Sequence, residues 1–437
     1  MRRYVIVGTG AAGIAAAEAI RCHDPQGNIL LISEEKDGYY SRPGLAFYLT
    51  GEITERQLYP FSEQDFRRLG ANRKHVRAVR VHTQSHQLVL NDGTQLPYDR
   101  LLIATGAMAA TVKTPGVQLA GVVKLDNLED ARRILKLARK GRSAVVVGGG
   151  ITALEIVEGL SEHGVKVHYF LRGDRYWGNV LDEAESRIVE HRLKEEGVQI
   201  HYQTELAEIL EKRGRVAGVR TKDGRQIKCE LVAIAVGVLA RKELAEASGL
   251  DTDRGILVDE YLQTSDPDVF AAGDVAQVFD PASGKALLDS LWGPSREQGN
   301  AAGCTMAGVP TPYYKRPPFN VTRLANLTTT IIGAIGGGKD DDVLGIVRGD
   351  SESWRQLPDA IAAQSDFDVN HLRVLVGERT LVGAILMGDQ TLSRPLQRLV
   401  TDKVDITPIH ERLLQPKAPV ADLIADFWIN WRGRHAA

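Results

Sequence analysis

Two glycine clusters carry the residue types that let a backbone close on a phosphate: Gly8-Thr-Gly10-Ala11-Ala12-Gly13 and Gly148-Gly-Gly150-Ile151-Thr152-Ala153, about 140 positions apart. In this spacing the first glycine permits a tight turn and the second lets a pyrophosphate approach the main chain. The third position, kept small, lets a helix pack closely on the preceding strand. That helix turns free N–H groups and a partial positive charge toward the anion. One such cluster alone is a weak signal. Two in one chain point to two dinucleotides, and so to electron transfer between a bound flavin and a nicotinamide. The competing reading of each cluster is an ordinary glycine turn in an α/β protein.

The flanking sequence supplies the elements that must hold these turns. Residues 4–7 are β-branched or aromatic and predict a strand, and the alanine-rich residues 11–20 predict the helix behind the glycines. A second strand over 29–33 ends at Glu34, with Glu35 beside it, roughly twenty residues past the glycines, where a carboxylate accepts hydrogen bonds from a ribose. The first cluster therefore reads as an FAD site. In the second copy a strand over 165–170 runs into Leu171-Arg172-Gly-Asp174-Arg175. Arginines here accommodate a 2′-phosphate, whereas an acid favours a free 2′-hydroxyl, so Arg172 and Arg175 lean toward NADPH. Solvated arginines, with Asp174 turned to a ribose, are the alternative. Val236 and Gly237 are expected to complete the nicotinamide site.

The 437 residues suit two or three domains, with 43% hydrophobic residues for their cores and 43 glycines for turns. A net charge of −2 offers no electrostatic case for nucleic acid. The first predicted strand begins by Tyr4, which leaves no room for a signal peptide, and no apolar run reaches the ~18 residues of a membrane span. A cytoplasmic location is expected. Cys22, Cys229 and Cys304 stand far apart with no C-x-x-C spacing, so neither a disulfide framework nor a metal or iron–sulfur site is indicated.

Further segments resemble those of the two-dinucleotide flavoprotein reductases, the pyridine nucleotide-disulfide oxidoreductase superfamily. Tyr98-Asp-Arg-Leu101-Leu-Ile-Ala104-Thr105-Gly106 resembles the segment closing their first flavin-binding stretch, and Asp268-Val-Phe-Ala-Ala-Gly273-Asp274 resembles their second flavin motif. The resemblance covers most of the first 310 residues. It implies that Asp274 bonds the ribityl chain and that a helix starting within 293–298 points its N-terminus at the flavin pyrimidine. There it stabilises the charge of the reduced ring by about 0.3 to 2 kcal/mol. A plain turn aspartate is the competing reading of Asp274.

The stretch after Glu34 decides the branch. Disulfide reductases of the superfamily carry a C-x4-C pair there, and coenzyme A disulfide reductases and water-forming NADH oxidases a single cysteine. This chain reads Asp37-Gly-Tyr-Tyr-Ser41-Arg42-Pro43-Gly44-Leu45, with no cysteine between Cys22 and Cys229. A dithiol relay is excluded, because no thiolate stands there to attack a disulfide. The Tyr-x-Arg-Pro-x-Leu pattern resembles rubredoxin reductases, ferredoxin reductases of oxygenase systems, the apoptosis-inducing factor and the flavin portion of assimilatory nitrite reductases. It implies Arg42 and Pro43 near the flavin and an external acceptor: rubredoxin, ferredoxin or an iron–sulfur partner. Many of those relatives continue with Ser-Lys, the lysine pairing with a glutamate beside flavin N5, where this chain has Ala46-Phe47. Glu155, the matching glutamate, is left to contact the nicotinamide ribose, to find another cation, or to serve as a first-turn helix acid. Phe47 or Tyr48 is a candidate to cover the flavin face. Two other functions stay open: a peripheral quinone reductase with an aromatic membrane foot, and a redox-sensing interaction protein like the apoptosis-inducing factor.

The expected fold class is α/β, with two Rossmann-like dinucleotide-binding domains and an α+β C-terminal interface domain. The FAD domain is placed at residues 1–108 and 240–307, the NAD(P)H domain at 109–239 and the interface domain at 308–437. Val309-Pro-Thr-Pro312-Tyr-Tyr-Lys-Arg-Pro317-Pro318 marks the last boundary, since its prolines forbid regular helix. Strands are predicted over 328–334, 372–377 and 381–387. The last of these runs resembles the family's interface domain, which implies a homodimer. Gly336-Gly-Gly338-Lys-Asp340-Asp-Asp342 reads as a solvated acidic loop rather than a metal site. Near the end, Leu423, Ile424, Phe427, Trp428 and Trp431 recur at helical spacing before Arg432, Arg434 and His435. Burial on its own domain or a dimer mate is preferred there to a membrane surface or a docked partner.

Overall fold

The strand Arg3–Val7 has an apolar side chain at each of its last four positions, and all four are buried. A strand apolar on both faces belongs inside a parallel sheet with cover on both sides, and each such side chain contributes about 1.5 to 3 kcal/mol on full burial. In the computed structural model, which describes residues 1–281, 283–335, 345–349 and 369–435, this strand is the centre of a five-stranded sheet. The order is Val269–Ala271, Arg100–Ile103, Arg3–Val7, Asn28–Ser33 and Ala71–His75, and every neighbouring pair is parallel. Val7 pairs with both Ile32 and Ile103, and Ile103 with Ala271. That register brings Gly8, Glu34, Ala104 and Gly273 to the carboxyl ends of adjacent strands, the edge where ligands of open α/β sheets bind.

The chain divides into two compact units. One comprises residues 1–148, 155–170 and 205–315, the other 149–154, 171–204 and 316–437. Within the first, a second parallel set runs Lys166–Phe170, Ser143–Val147, Leu231–Ile234 and Val122–Val123. Val147 pairs with Phe170 and Ile234, so the second glycine turn also leaves the carboxyl edge of its sheet. The two expected strand–turn–helix copies are therefore both present, with helices Ala11–His23, three residues longer than the alanine-rich run predicted, and Ile151–Glu162.

In the second unit an antiparallel sheet has the order Phe319–Leu324, Leu327–Gly333, Leu381–Met387, His371–Val376 and Gly345–Gly349. The three predicted C-terminal strands are found within a residue of their expected limits. Residues 309–318 are irregular, as their prolines require. The helix Val420–His435 lays Leu423, Ile424 and Trp428 into the core formed with Leu386, Leu396 and Leu399, while Phe427 and Trp431 are half-buried against it. Its apolar stripe is thus covered within its own unit. The acidic Gly336–Asp342 turn lies outside the described residues.

Candidate functional site

At the first turn the backbones touch. A Cβ on Gly8 would stand 2.0 Å from the Ala104 carbonyl oxygen, and Gly8 has φ +119°. A Cβ on Gly13 would stand 2.0 Å from the Gly8 oxygen. Gly10 is different: nothing lies within 4 Å of where its Cβ would be, so its smallness serves no packing inside the chain. The helix Ala11–His23 starts at Gly10 with no side-chain cap and no acid in its first turn. Its leading N–H groups have no intrahelical partners, and the positive end of the dipole faces an open cradle of the kind a pyrophosphate fills.

Glu34, at the tip of Asn28–Ser33, is exposed and held by arginines from two distant segments. Arg241 Nη1 lies 3.1 Å from Oε1 and Arg77 Nε 3.7 Å from Oε2. Arg241 also reaches Asp126 at 2.8 Å and donates from Nε to the Ala107 carbonyl at 3.1 Å, while its own carbonyl accepts from Thr105 Oγ1 at 2.8 Å. Glu35 accepts from the Tyr40 hydroxyl at 2.9 Å and pairs with Arg42, whose other arm donates to the Asp126 carbonyl. The adjacent carboxylates are therefore each oriented by an arginine, and both arginines converge on Asp126. Pro43 follows, exposed, at the start of the short helix Gly44–Leu49.

The second flavin motif lies on the same edge. Gly273 has φ +80° and donates its N–H to Gln298 Oε1 at 2.8 Å. Ser295 Oγ donates to Asp274 Oδ1 at 3.0 Å. Burial pushes the Asp274 carboxyl up, against the opposing pull of the Ser295 bond and the Arg42 charge. Gln298 is fully buried, yet its Nε2 has no partner; a buried donor left unmade costs about 1 to 3 kcal/mol and calls for an acceptor. The helix Trp292–Met306 that carries Ser295 and Gln298 packs on Ala11–His23. A Cβ on Gly299 or Gly303 would stand 2.1 Å from the Ala12 oxygen or 2.4 Å from the Ala16 oxygen. Close glycine packing therefore joins the two flavin motifs, and an open phosphate cradle, a buried carboxyl and an orphaned amide fit an FAD.

At the second turn Gly148 has φ +150°, and no atom lies within 4 Å of a Cβ on Gly150. Thr152 is half-buried and Ala153 buried on the helix Ile151–Glu162; Glu155 is half-buried one turn along. Val236 is exposed and Gly237, at φ +118°, follows it beyond Leu231–Ile234. Arg172 is exposed past Lys166–Phe170. Arg175 lies 3.2 Å from Asp174 Oδ1 and donates to the Gly178 carbonyl at 3.2 Å, so the acid considered for a ribose is engaged by its own neighbour. Sequence reasoning missed Arg241, Asp126 and Arg77 at the first site. None stands near Glu34 in the chain, and no local pattern marks them.

Two parallel-sheet turns and a paired set of flavin motifs define a two-dinucleotide oxidoreductase. The chain belongs to the pyridine nucleotide-disulphide oxidoreductase family, whose profile matches residues 2–291, and FAD and a nicotinamide nucleotide are the cofactors of that family. It is 31% identical over 404 residues to the biphenyl dioxygenase system ferredoxin–NAD(+) reductase component of Paraburkholderia xenovorans, covering 88% of this chain and 95% of that one. It is 29% identical over 343 residues to the rubredoxin-NAD(+) reductase of Pseudomonas putida, covering 78% and 88%. The ferredoxin reductase for the CYP199A2 system from Rhodopseudomonas palustris has the same fold, with a TM-score of 0.84 at 24% identity over 97% of this chain and 99% of that one.

Proposed function

We propose that this oxidoreductase passes electrons from a nicotinamide nucleotide through FAD to a separate electron-transfer protein of ferredoxin or rubredoxin type, or to an iron–sulfur partner. One observation carries the reading: the segment from Glu34 to Leu45, where a thiol relay would stand, contains no cysteine. Cys229 is buried and its thiol is pushed up to about 12 by that burial, so it offers no thiolate at neutral pH. The names of the similar reductases agree with this acceptor class.

A bound FAD would supply the hydride acceptance and single-electron release that such a transfer needs. In this reading Gly8, Gly10, Ala11, Ala12 and Gly13 cradle its pyrophosphate, Glu34 and Glu35 serve the ribose end, and Ala104, Thr105 and Gly106 form the floor. Arg42, Pro43, Gly273 and Asp274 flank the flavin end. Gly148 to Ala153 hold the second pyrophosphate, with Glu155, Val236 and Gly237 beside the nicotinamide, while Arg172 and Arg175 bind a 2′-phosphate and favour NADPH. The reading assigns residues 1–108 with 240–307 to FAD, 109–239 to NAD(P)H, and 308–437 to the interface of a cytoplasmic homodimer. Burial of the aromatic stripe on Val420–His435 removes the observation behind a membrane-bound quinone reductase.

Anaerobic mixing of the holoprotein with NADH and with NADPH, followed by ferredoxin, rubredoxin, quinone or oxygen, tests the reading. The flavin is expected to bleach, faster with NADPH, and to recover fastest with ferredoxin or rubredoxin. Flavin that neither nucleotide bleaches overturns it, and quinone as the best acceptor overturns the acceptor class.

A further inference from the structure

The loop between Phe170 and the helix Glu183–Glu195 carries Arg172 and Arg175, and it is tied down along its length. Gly173 accepts from the Gln203 N–H at 2.9 Å, and Leu171 exchanges backbone bonds of 2.9 Å with His201 and Thr204. Tyr176 donates its N–H to Glu190 Oε1 at 2.8 Å, and its carbonyl accepts from Ser186 Oγ at 2.7 Å; Glu190 and Ser186 are buried on the helix. The loop thus takes its position from that helix.

The helix in turn is held by the C-terminal sheet. Glu185, with no exposed surface, uses both carboxylate oxygens: Oε2 accepts from the Asp182 N–H at 2.9 Å to close the helix cap, and Oε1 takes Arg373 Nε at 2.8 Å and His371 Nε2 at 3.2 Å. Arg373, 5% exposed on His371–Val376, also donates from Nη2 to the Val180 carbonyl within the loop at 3.1 Å. Arg192 Nε adds a 2.7 Å bond to the Ala325 carbonyl. An ion pair this deeply buried stabilises a fold little more than apolar residues of the same shape would, because desolvation offsets the attraction. What it supplies is fixed geometry: a planar fork with one acceptor on the helix cap and another on the loop.

We propose that Arg373 and Glu185 are positioning residues through which the C-terminal sheet sets where Arg172 and Arg175 stand, and so how strongly the second glycine turn prefers a nucleotide bearing a 2′-phosphate. The inference rests on the reading of Arg172 and Arg175 given above. Phosphate recognition by guanidinium is directional, and Arg175 has its Nη atoms engaged by Asp174 and Gly178 while its buried Nε has no partner. A small loop displacement changes which donors face the ligand.

The test uses the FAD-loaded protein and two redox-silent probes, adenosine 2′,5′-bisphosphate and adenosine 5′-monophosphate, titrated calorimetrically. Arg172→Ala tests the underlying reading: the bisphosphate preference falls, and if it does not, the reading fails and the inference with it. Arg373→Met/Glu185→Gln removes both buried charges while keeping an acceptor for the Asp182 N–H. It is expected to weaken the bisphosphate at least about fivefold and the monophosphate less than about twofold, with flavin content unchanged. A double variant with wild-type preference, beside an Arg172→Ala variant that has lost it, overturns the inference alone. If the double variant does not fold, Arg373→Lys, which keeps the charge but loses the fork, decides by the same ratio of affinities.

Discussion

Arg241 and Glu34, 207 positions apart in the chain, meet at 3.1 Å. The same guanidinium bonds Asp126, whose side chain is 6% exposed, so one arginine ties the Glu34 carboxylate to the strand–loop junctions at Thr105 and Asp126. Arg241→Met leaves the Asp126 carboxylate with Lys124 as its remaining side-chain ion pair among the described residues, at 3.2 Å, and is expected to cost about 1 to 3 kcal/mol. Both the melting midpoint and the retention of FAD should drop, as read by thermal unfolding and by released flavin fluorescence. An unchanged midpoint with full flavin content would show that the hub is idle.

The two glycines of the first turn should respond differently. Gly8→Ala places a methyl group 2.0 Å from the Ala104 oxygen at a positive φ, an overpacking strain of about 1 to 3 kcal/mol or more, and should yield little folded protein. Gly10→Ala meets no protein atom. It should melt like the wild-type apoprotein and yet bind FAD poorly, because only the pyrophosphate contests that space. Reconstitution of both variants with FAD, monitored by flavin absorbance, checks the contrast; tight FAD binding by Gly10→Ala sinks the cradle.

Asp274 ties pH to stability. Its folded carboxyl titrates above the ordinary 3.8, so between the two values the folded state holds more protons than the unfolded chain. Its contribution is therefore most favourable below the ordinary value and diminishes as pH rises through the folded one. Asp274→Asn should leave the apoprotein at least as stable at pH 7. The same change should weaken FAD binding by about 1.5 to 3 kcal/mol, the worth of a hydrogen bond to a charged group. Melting and FAD titration of the two proteins across pH 4 to 8, a span of roughly the aspartate to neutral range, read both effects; a variant that keeps wild-type FAD affinity removes the ribityl role.

Trp428 is buried in the C-terminal core and stacks on Trp431 with centroids 5.3 Å apart. Trp428→Ala is expected to cost about 3 to 5 kcal/mol, the usual range for emptying a large aromatic site. The wild-type protein should not sediment with liposomes. Co-sedimentation would mean that the helix leaves its core, against the packing seen.

Local spacing alone marked both glycine turns and the three C-terminal strands, while the segments ending at Gly106 and Asp274 were marked by their resemblance to the family. Each depends on contacts within a few residues: a glycine that must turn, a strand that must alternate or bury, a helix that must start behind it. The chemistry without a thiol was equally legible, since a missing cysteine needs no coordinates. Arg241 on Glu34, Gln298 beneath Gly273, and Arg373 on Glu185 left no such trace. A charged side chain bears no local mark of its partner, and a buried pair 188 positions apart, such as Arg373 and Glu185, exists only because a sheet and a helix have already packed. Residue type and spacing determined which cofactors this chain is built to hold. Tertiary packing decided that Arg241 stands on Glu34 and Arg373 on Glu185, because a side chain far away in the sequence reaches its partner only when the elements that carry the two have packed.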